Sequence, residues 1–197
     1  MLILASESPR RKQILESLNL TFKVIPSRAD ECYNKFFPSE NIPIILAYKK
    51  AAAVAALYPD DTVVAADTVV IFNDKIFNKP VSPDDAVEIL LTLSGNTHKV
   101  VTGVCIMILS EKMVVRFSET SFVTFKNLDK SSIKKYMNCV NVMDKAGAYA
   151  VQEHKNMVIE SFSGSMSNIM GFPKEKFKES LNALSYCSNK CNLNFCQ

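Results

Sequence analysis

The sequence predicts an α/β fold of mixed helices and strands, in two lobes with a cleft between them. Three observations predict the α/β class and the lobes. Helical segments opened by Ser-Pro pairs alternate with β-branched runs along the chain. Residues 62–72 form the strongest β signal, interrupted only by Asp67-Thr68. Two long β-branched stretches, about 100–109 and 113–125, meet at Glu111-Lys112 as a long central hairpin, which suggests two lobes with a cleft between them. A chain of 197 residues, 48% hydrophobic and 22% charged, buries roughly 70% of its unfolded surface without a disulfide or metal staple. Disorder, collagen and coiled coil are excluded as descriptions of the whole chain.

In chain order, residues 2–5 are a short apolar run suited to a buried strand. Ser8-Pro9 then opens a helix, with Ser as N-cap, Pro at the first helical position, and Ile14, Leu15 and Leu18 on its apolar face. Residues 22–25 read as a strand and 27–31 as a polar loop. An Ala-rich helix covers about 42–57 and stops before Pro59. Asn73-Asp74 turns the long strand into a short return arm at 75–77. Ser82-Pro83 repeats the helix-opening pattern, and Ser94-Gly95 ends that helix. A short helix is expected near 130–136, strands at 148–151 and 157–161, and an amphipathic helix at 174–186. Residues 1–186 are read as one domain, and the Asn- and Cys-rich tail at 187–197 is expected to be flexible.

A net charge of +3 from 23 basic and 20 acidic residues is too balanced for a nucleic-acid binder. No run of 18 apolar residues occurs, so no membrane span is expected, and the first residues lack the basic start of a signal peptide. The six cysteines form no C-x-x-C pair and have no His at zinc spacing, which fits reduced thiols in a cytosolic protein.

The chemistry-bearing residues fall into three groups. Ser6-Glu7-Ser8-Pro9-Arg10-Arg11 runs from a strand into a helix N-terminus. Free backbone N–H groups and the positive end of the dipole attract anions there. Two arginines in that first turn oppose the dipole, at about 0.3–1 kcal/mol each, a cost that a bound anion would offset; the other reading is two solvated surface arginines. Asp67 is a carboxylate inside an apolar strand, which marks a general base or metal ligand, or else a residue capping a turn at a strand bend. Lys50, Lys79 and Lys145 are point charges of the kind that hold a polyanion, or else ordinary surface lysines. His98 fits a structural role better than a ligand contact. No nucleophile elbow, Walker or G-x-G-x-x-G pattern occurs. On these grounds alone the chain is an α/β protein with a candidate phosphate site.

Taken together, the motifs resemble the Maf family of nucleoside triphosphate pyrophosphatases, the septum formation inhibitor-like proteins, in its dTTP/UTP pyrophosphatase subgroup. The matching segments are Leu4-Ala5-Ser6-Glu7-Ser8-Pro9-Arg10-Arg11, Ala66-Asp67-Thr68-Val69-Val70, Lys79-Pro80, Ser94-Gly95-Asn96-Thr97-His98 with Thr102-Gly103, Asp144-Lys145-Ala146-Gly147-Ala148-Tyr149, and Gly171-Phe172-Pro173. They occur in family order across residues 2–173. The resemblance implies an elongated, two-lobed α/β fold, a mixed sheet with a deep central cleft, related to the inosine-triphosphate pyrophosphatases. It also implies hydrolysis of a nucleoside triphosphate to monophosphate and pyrophosphate with a divalent cation, Mg²⁺ or Mn²⁺, in a cytoplasmic homodimer with a house-cleaning role.

By the same resemblance Asp67 is the proton acceptor. Ser8, Arg10, Arg11, Lys50, Thr68, Lys79 and Gln152 fall on substrate positions, and Glu31 with Asp67 on the metal side. Arg10, Thr68 and Gln152 match the group acting on dTTP and UTP. The alternatives are a purine or 7-methyl-GTP pyrophosphatase, or a non-catalytic nucleotide-binding regulator of cell division. Three residues depart from the family pattern: Asn141 where Glu is usual, Asn78 before Lys79-Pro80, and Glu153 where Gly is common.

Overall fold

The computed structural model describes residues 1–34 and 36–190. Strand β1 (Leu2–Leu4) lies parallel between β2 (Phe22–Val24) and β3 (Thr62–Phe72). Helix α1 (Pro9–Glu16) links β1 to β2, and α2 (Ile42–Ala55) precedes β3. β3 turns through Asn73 and Asp74, whose φ angles of 50° and 59° give the left-handed pair a tight hairpin requires, into β4 (Lys75–Phe77). After α3 (Pro83–Leu93), the strands β5 (Thr97–Ile108) and β6 (Met113–Phe125) form the long hairpin, with Lys112 at φ 54° in its turn. Then come α4 (Lys130–Cys139), β7 (Ile159–Ser163), α5 (Met166–Ile169) and α6 (Lys174–Lys190). The mixed sheet runs β2-β1-β3-β5-β6-β7, with β4 also paired to β3.

Three helix starts follow directly from their local sequence. Ser8 accepts from the Arg11 N–H and Ser82 from the Asp85 N–H, each ahead of a Pro at the first helical turn. Asp129 and Ser132 form a reciprocal capping box for α4.

β3 divides the core by strict alternation. Val63 and Ala65 pack under α2 with Ala47, Ala51, Val54 and Ala55. Val64 and Ala66 pack on the opposite face with Ile14, Leu15, Phe172 and Phe177 from α1 and the α6 region. The far end of the sheet carries a second core, where Val70, Val100 and Phe125 meet Leu90, Leu93, Ile133 and Tyr136 of α3 and α4. These two centres of packing are the two lobes.

Several boundaries differ from the sequence reading, among them the following three. Residues 148–151 are buried but form no strand. Ala146–Ala148 is a 3₁₀ turn with Gly147 at φ 70°, and Ala148, Tyr149, Ala150 and Val151 enter the core from a loop. A short apolar run looks the same in either case, because burial sets its composition and the loop has no periodicity to reveal. β7 begins at Ile159 rather than 157. α6 continues to Lys190, through Cys187, so the start of the expected tail is helical; Cys191 and Cys196 lie outside the described residues.

His98 is part of the far core. Its ring is 1% exposed, meets Phe125 and Tyr149 edge to face, and its Nε2 lies 2.8 Å from the Tyr149 hydroxyl. Burial pulls its pKa down from 6.5 to about 4. Between those two values the unfolded chain holds a proton that the folded chain does not, so stability falls as pH drops through that window. The expected result is a melting temperature that declines from pH 6.5 towards pH 4. His98→Asn should flatten that decline in a thermal-melt series across the same buffers, and an unchanged slope would mean other groups set it.

Candidate active site

The site lies where β3 loses its neighbours. On one edge β3 pairs with β5 throughout residues 63–71. On the other edge β1 covers 62–64 and β4 covers 70–72, so residues 65–69 have no strand beside them. Asp67 and Thr68 stand in this gap. The turn leaving β1 into α1 faces it, which brings Ser6, Ser8 and the two arginines to the same place. The resulting cleft, ≈ 360 Å³, is lined by residues of both lobes.

Ser8, Arg10, Arg11, Glu31, Lys50, Thr68, Lys79 and Gln152 all line this cleft. Asp67, 8% exposed, meets it through Lys50. The Lys50 ammonium lies 2.5 Å from Asp67 Oδ1 and 2.9 Å from Glu31 Oε1, bridging the two carboxylates. Among the described residues Asp67 Oδ2 makes no hydrogen bond. Burial pushes the Asp67 carboxyl above its ordinary value, against the pull of Lys50 and Arg11. Burial acts on Glu31 in the same direction but is outweighed by the hydrogen bond and charge of Lys50, with Lys79 and Arg11, and its pKa falls. Two neighbouring carboxyls are thus pushed apart, one towards a better base and one towards a permanent anion.

Arg11 is clamped. Its Nε donates to Gly171 O at 2.9 Å, Nη1 to Ser6 Oγ at 3.3 Å and Nη2 to Thr68 Oγ1 at 3.1 Å. A second N–H remains on each of the two terminal nitrogens, the fork that suits a phosphate. Burial lowers its pKa, with Asp67 opposing; a guanidinium nonetheless stays charged. Gly171 sits at φ +106°, in the left-handed region, with its carbonyl turned to Arg11. Arg10 reaches across the cleft instead, with Nη1 3.4 Å from Asp144 Oδ2 and Nη2 3.3 Å from Asp144 O.

Lys145 does not stand free. It is 5% exposed, and its ammonium is held by Asn141 O, Asp144 Oδ1 at 2.9 Å and Glu153 at 3.7 Å. Asn141 is an exposed residue whose Oδ1 accepts from the Met143 N–H, so it shapes the loop that carries Asp144. Glu153 supplies a carboxylate to the same lysine. Asn78 lends its carbonyl to the Gly147 N–H.

For a divalent cation, Glu31 and Asp67 are the two carboxylates that share Lys50, while Glu7 and Asp144 also line the cleft. Among the described residues no group of three or more His, Cys, Asp or Glu side chains gathers. Two carboxylates that reach one ammonium fit a hard cation completed by substrate phosphate oxygens, the usual way Mg²⁺ is held.

Residues 1–184 match the protein family described as Maf-like protein. The chain belongs to the Maf-like family. Its similar relatives include a dTTP/UTP pyrophosphatase of Thermosipho africanus (strain TCF52B), 43% identical over 176 residues, 89% of this chain and 88% of the relative. The dTTP/UTP pyrophosphatase of Geobacillus sp. (strain WCH70) is 42% identical over 172 residues, 87% and 91% of the two chains. That of Akkermansia muciniphila is 39% identical over 184 residues, 93% and 96% of the two chains. Among solved structures, the Staphylococcus aureus Ham1 protein superposes with a TM-score of 0.48 at 16% identity, covering 64% of this chain and 72% of that one.

Two parts of this Maf-like site escape sequence reasoning. The Asp144 contact with Arg10 spans 134 positions, and no spacing reveals it. The Gly171 carbonyl under Arg11 is a backbone group, for which the only sequence signal is the glycine itself. No helix among the described residues is long and apolar enough to cross a membrane.

Proposed function

We propose that this Maf-like protein hydrolyses pyrimidine nucleoside triphosphates, dTTP and UTP first, to the monophosphate and pyrophosphate. One observation carries the reading. Arg11, Lys50 and Lys79 line one cleft, and Asp67, a buried carboxylate with a raised pKa, is tied to Lys50. Polyphosphate hydrolysis needs cations on the phosphates and a base for the water. The names of the relatives support the substrate class.

In this mechanism Arg11 grips the triphosphate through its two free N–H groups, with Ser8 at the α1 N-terminus beside it. Arg10 closes on the nucleotide from the Asp144 side. Lys50 and Lys79 balance the charge that builds on the departing pyrophosphate. As phosphate draws the Lys50 ammonium, Asp67 is released to act. Its carboxylate takes the proton of the water, whose oxygen bonds to the α-phosphorus as the bond to the bridging oxygen breaks. Gln152, exposed at the rim, and Thr68 select the base. Glu31 and Asp67 would hold a Mg²⁺ or Mn²⁺ ion, which when bound neutralises phosphate charge. A homodimer acting in the cytoplasm, in nucleotide house-cleaning, completes the proposal.

The test is pyrophosphate release from dTTP, UTP, CTP, GTP, 7-methyl-GTP and ITP, with Mg²⁺ or Mn²⁺ and with EDTA. The expected result is cation-dependent release led by dTTP and UTP. Release led by a purine would overturn the pyrimidine selection. Nucleotide binding without any release would point instead to a regulator.

A further inference from the structure

We infer that Thr102, a fully buried residue, is a positioning residue that orients Arg11 for the triphosphate. The inference rests on the reading of Arg11 as the phosphate grip. Thr102 lies mid-strand in β5, is 0% exposed, and stands directly opposite Thr68 in the β3–β5 ladder. The two hydroxyl oxygens are 3.0 Å apart. Thr102 Oγ1 also lies 3.2 Å from the carbonyl of Asn168, a group that only accepts.

The two shorter hydroxyl contacts, 3.0 and 3.2 Å, are both kept by one set of directions. A threonine hydroxyl has one proton to give. With Thr102 giving its proton to Asn168 O at 3.2 Å, Thr68 donates to Thr102 at 3.0 Å in preference to Gly171 O at 3.4 Å. Thr68 in turn accepts from Arg11 Nη2. The result is one directed chain: Arg11 N–H to Thr68, Thr68 O–H to Thr102, Thr102 O–H to the carbonyl of Asn168. Each donor polarises the next, and the chain ends on a backbone group that cannot reverse it.

The anchor at the far end is rigid. Asn168 is fully buried, and its Nδ2 donates to Val100 O at 3.1 Å and Ser121 Oγ at 2.9 Å, while its N–H is held by Ser165 Oγ. The Asn168 carbonyl also accepts from the Gly171 N–H at 2.8 Å, and the Gly171 carbonyl holds Arg11 Nε. Both ends of the Arg11 clamp therefore lead back to Asn168. Thr102 is the hydroxyl that couples this anchor to the Nη2 side of the guanidinium. Without it Thr68 is free to turn its proton to Gly171 O, 3.4 Å away, and compete with Arg11 Nε for that carbonyl.

The test compares the wild type with Thr102→Val, which keeps the shape and removes the hydroxyl, and Thr102→Ser, which keeps the hydroxyl. The readouts are kcat and KM with dTTP, the Kd of inorganic triphosphate by calorimetry, and the thermal midpoint. Thr102→Val is expected to raise KM and the triphosphate Kd roughly tenfold, the scale of a weakened bond to a charged group, with kcat within about threefold. Thr102→Ser should restore both. In an Arg11→Lys background, where no fork remains to orient, Thr102→Val should change the triphosphate Kd by less than about twofold.

A lowered thermal midpoint with KM and Kd unchanged would overturn the inference and leave Thr102 a purely structural group. Equal effects of Thr102→Val in both backgrounds would also overturn it. If the wild type released no pyrophosphate but bound triphosphate, the hydrolase reading would fail while the Kd comparison still decided this one. If the wild type neither released pyrophosphate nor bound triphosphate, both readings would fall.

Discussion

Asp67→Asn is expected to lower kcat for dTTP by about 10²-fold or more while triphosphate affinity stays the same or tightens. The amide keeps the shape of the carboxyl but cannot hold a proton taken from water. It also removes a negative charge that now competes with the substrate for Lys50. The split between kcat and Kd separates this role from a general disturbance of the site. A variant that kept wild-type turnover would show that Asp67 is not the base and would move attention to Glu31, the other carboxylate on Lys50.

Gly103→Ala is expected to destabilise the protein by about 3 kcal/mol, at the upper end of ordinary overpacking. A Cβ at this position would lie 2.3 Å from the Ile44 backbone N and 2.4 Å from the Pro43 carbonyl carbon, so the whole start of α2 would have to move. For a chain of this size that is a fall of about 6–12 °C in thermal midpoint. The damage should reach the site as well. Gly103 faces Asp67 across the β3–β5 ladder, and the helix it admits carries Lys50. Displacing α2 pulls the ammonium from the carboxylate, so kcat/KM should fall even below the melting transition. A variant melting within about 2 °C of the wild type would mean that α2 tolerates the added methyl.

Thr102 and Gly103 thus serve the two faces of the sheet. The threonine supports Arg11 on the α1 face. The glycine lets α2 approach on the other. Both stand opposite Asp67-Thr68, where β3 is open at its far edge. The alternation of side chains along a strand makes this arrangement possible, since adjacent residues serve opposite faces of one ladder.

Much of this was legible from the chain alone. Ser-Pro starts fixed α1 and α3 because an N-cap hydroxyl and a proline act on their own helix and need no partner. The long β-branched runs fixed β3, β5 and β6, because their pattern persists over many residues. The odd placement of Asp67 in an apolar strand, and of two arginines at a helix start, marked groups whose local cost calls for a partner elsewhere. The motifs in order fixed the family.

The tertiary structure decided what those groups do to one another. It buried Asp67 deeply enough to raise its pKa against the pull of Lys50, while the same lysine lowered that of the more exposed Glu31. It gave Arg11 to Ser6, Thr68 and Gly171 while Arg10 went to Asp144, although the two arginines are neighbours in sequence. It took Lys145 out of the set of free cations by closing Asp144, Glu153 and Asn141 around it. Local signals depend on residues within a turn or two of one another, whereas charge, burial and hydrogen-bond direction depend on which distant segments share a few ångströms of space.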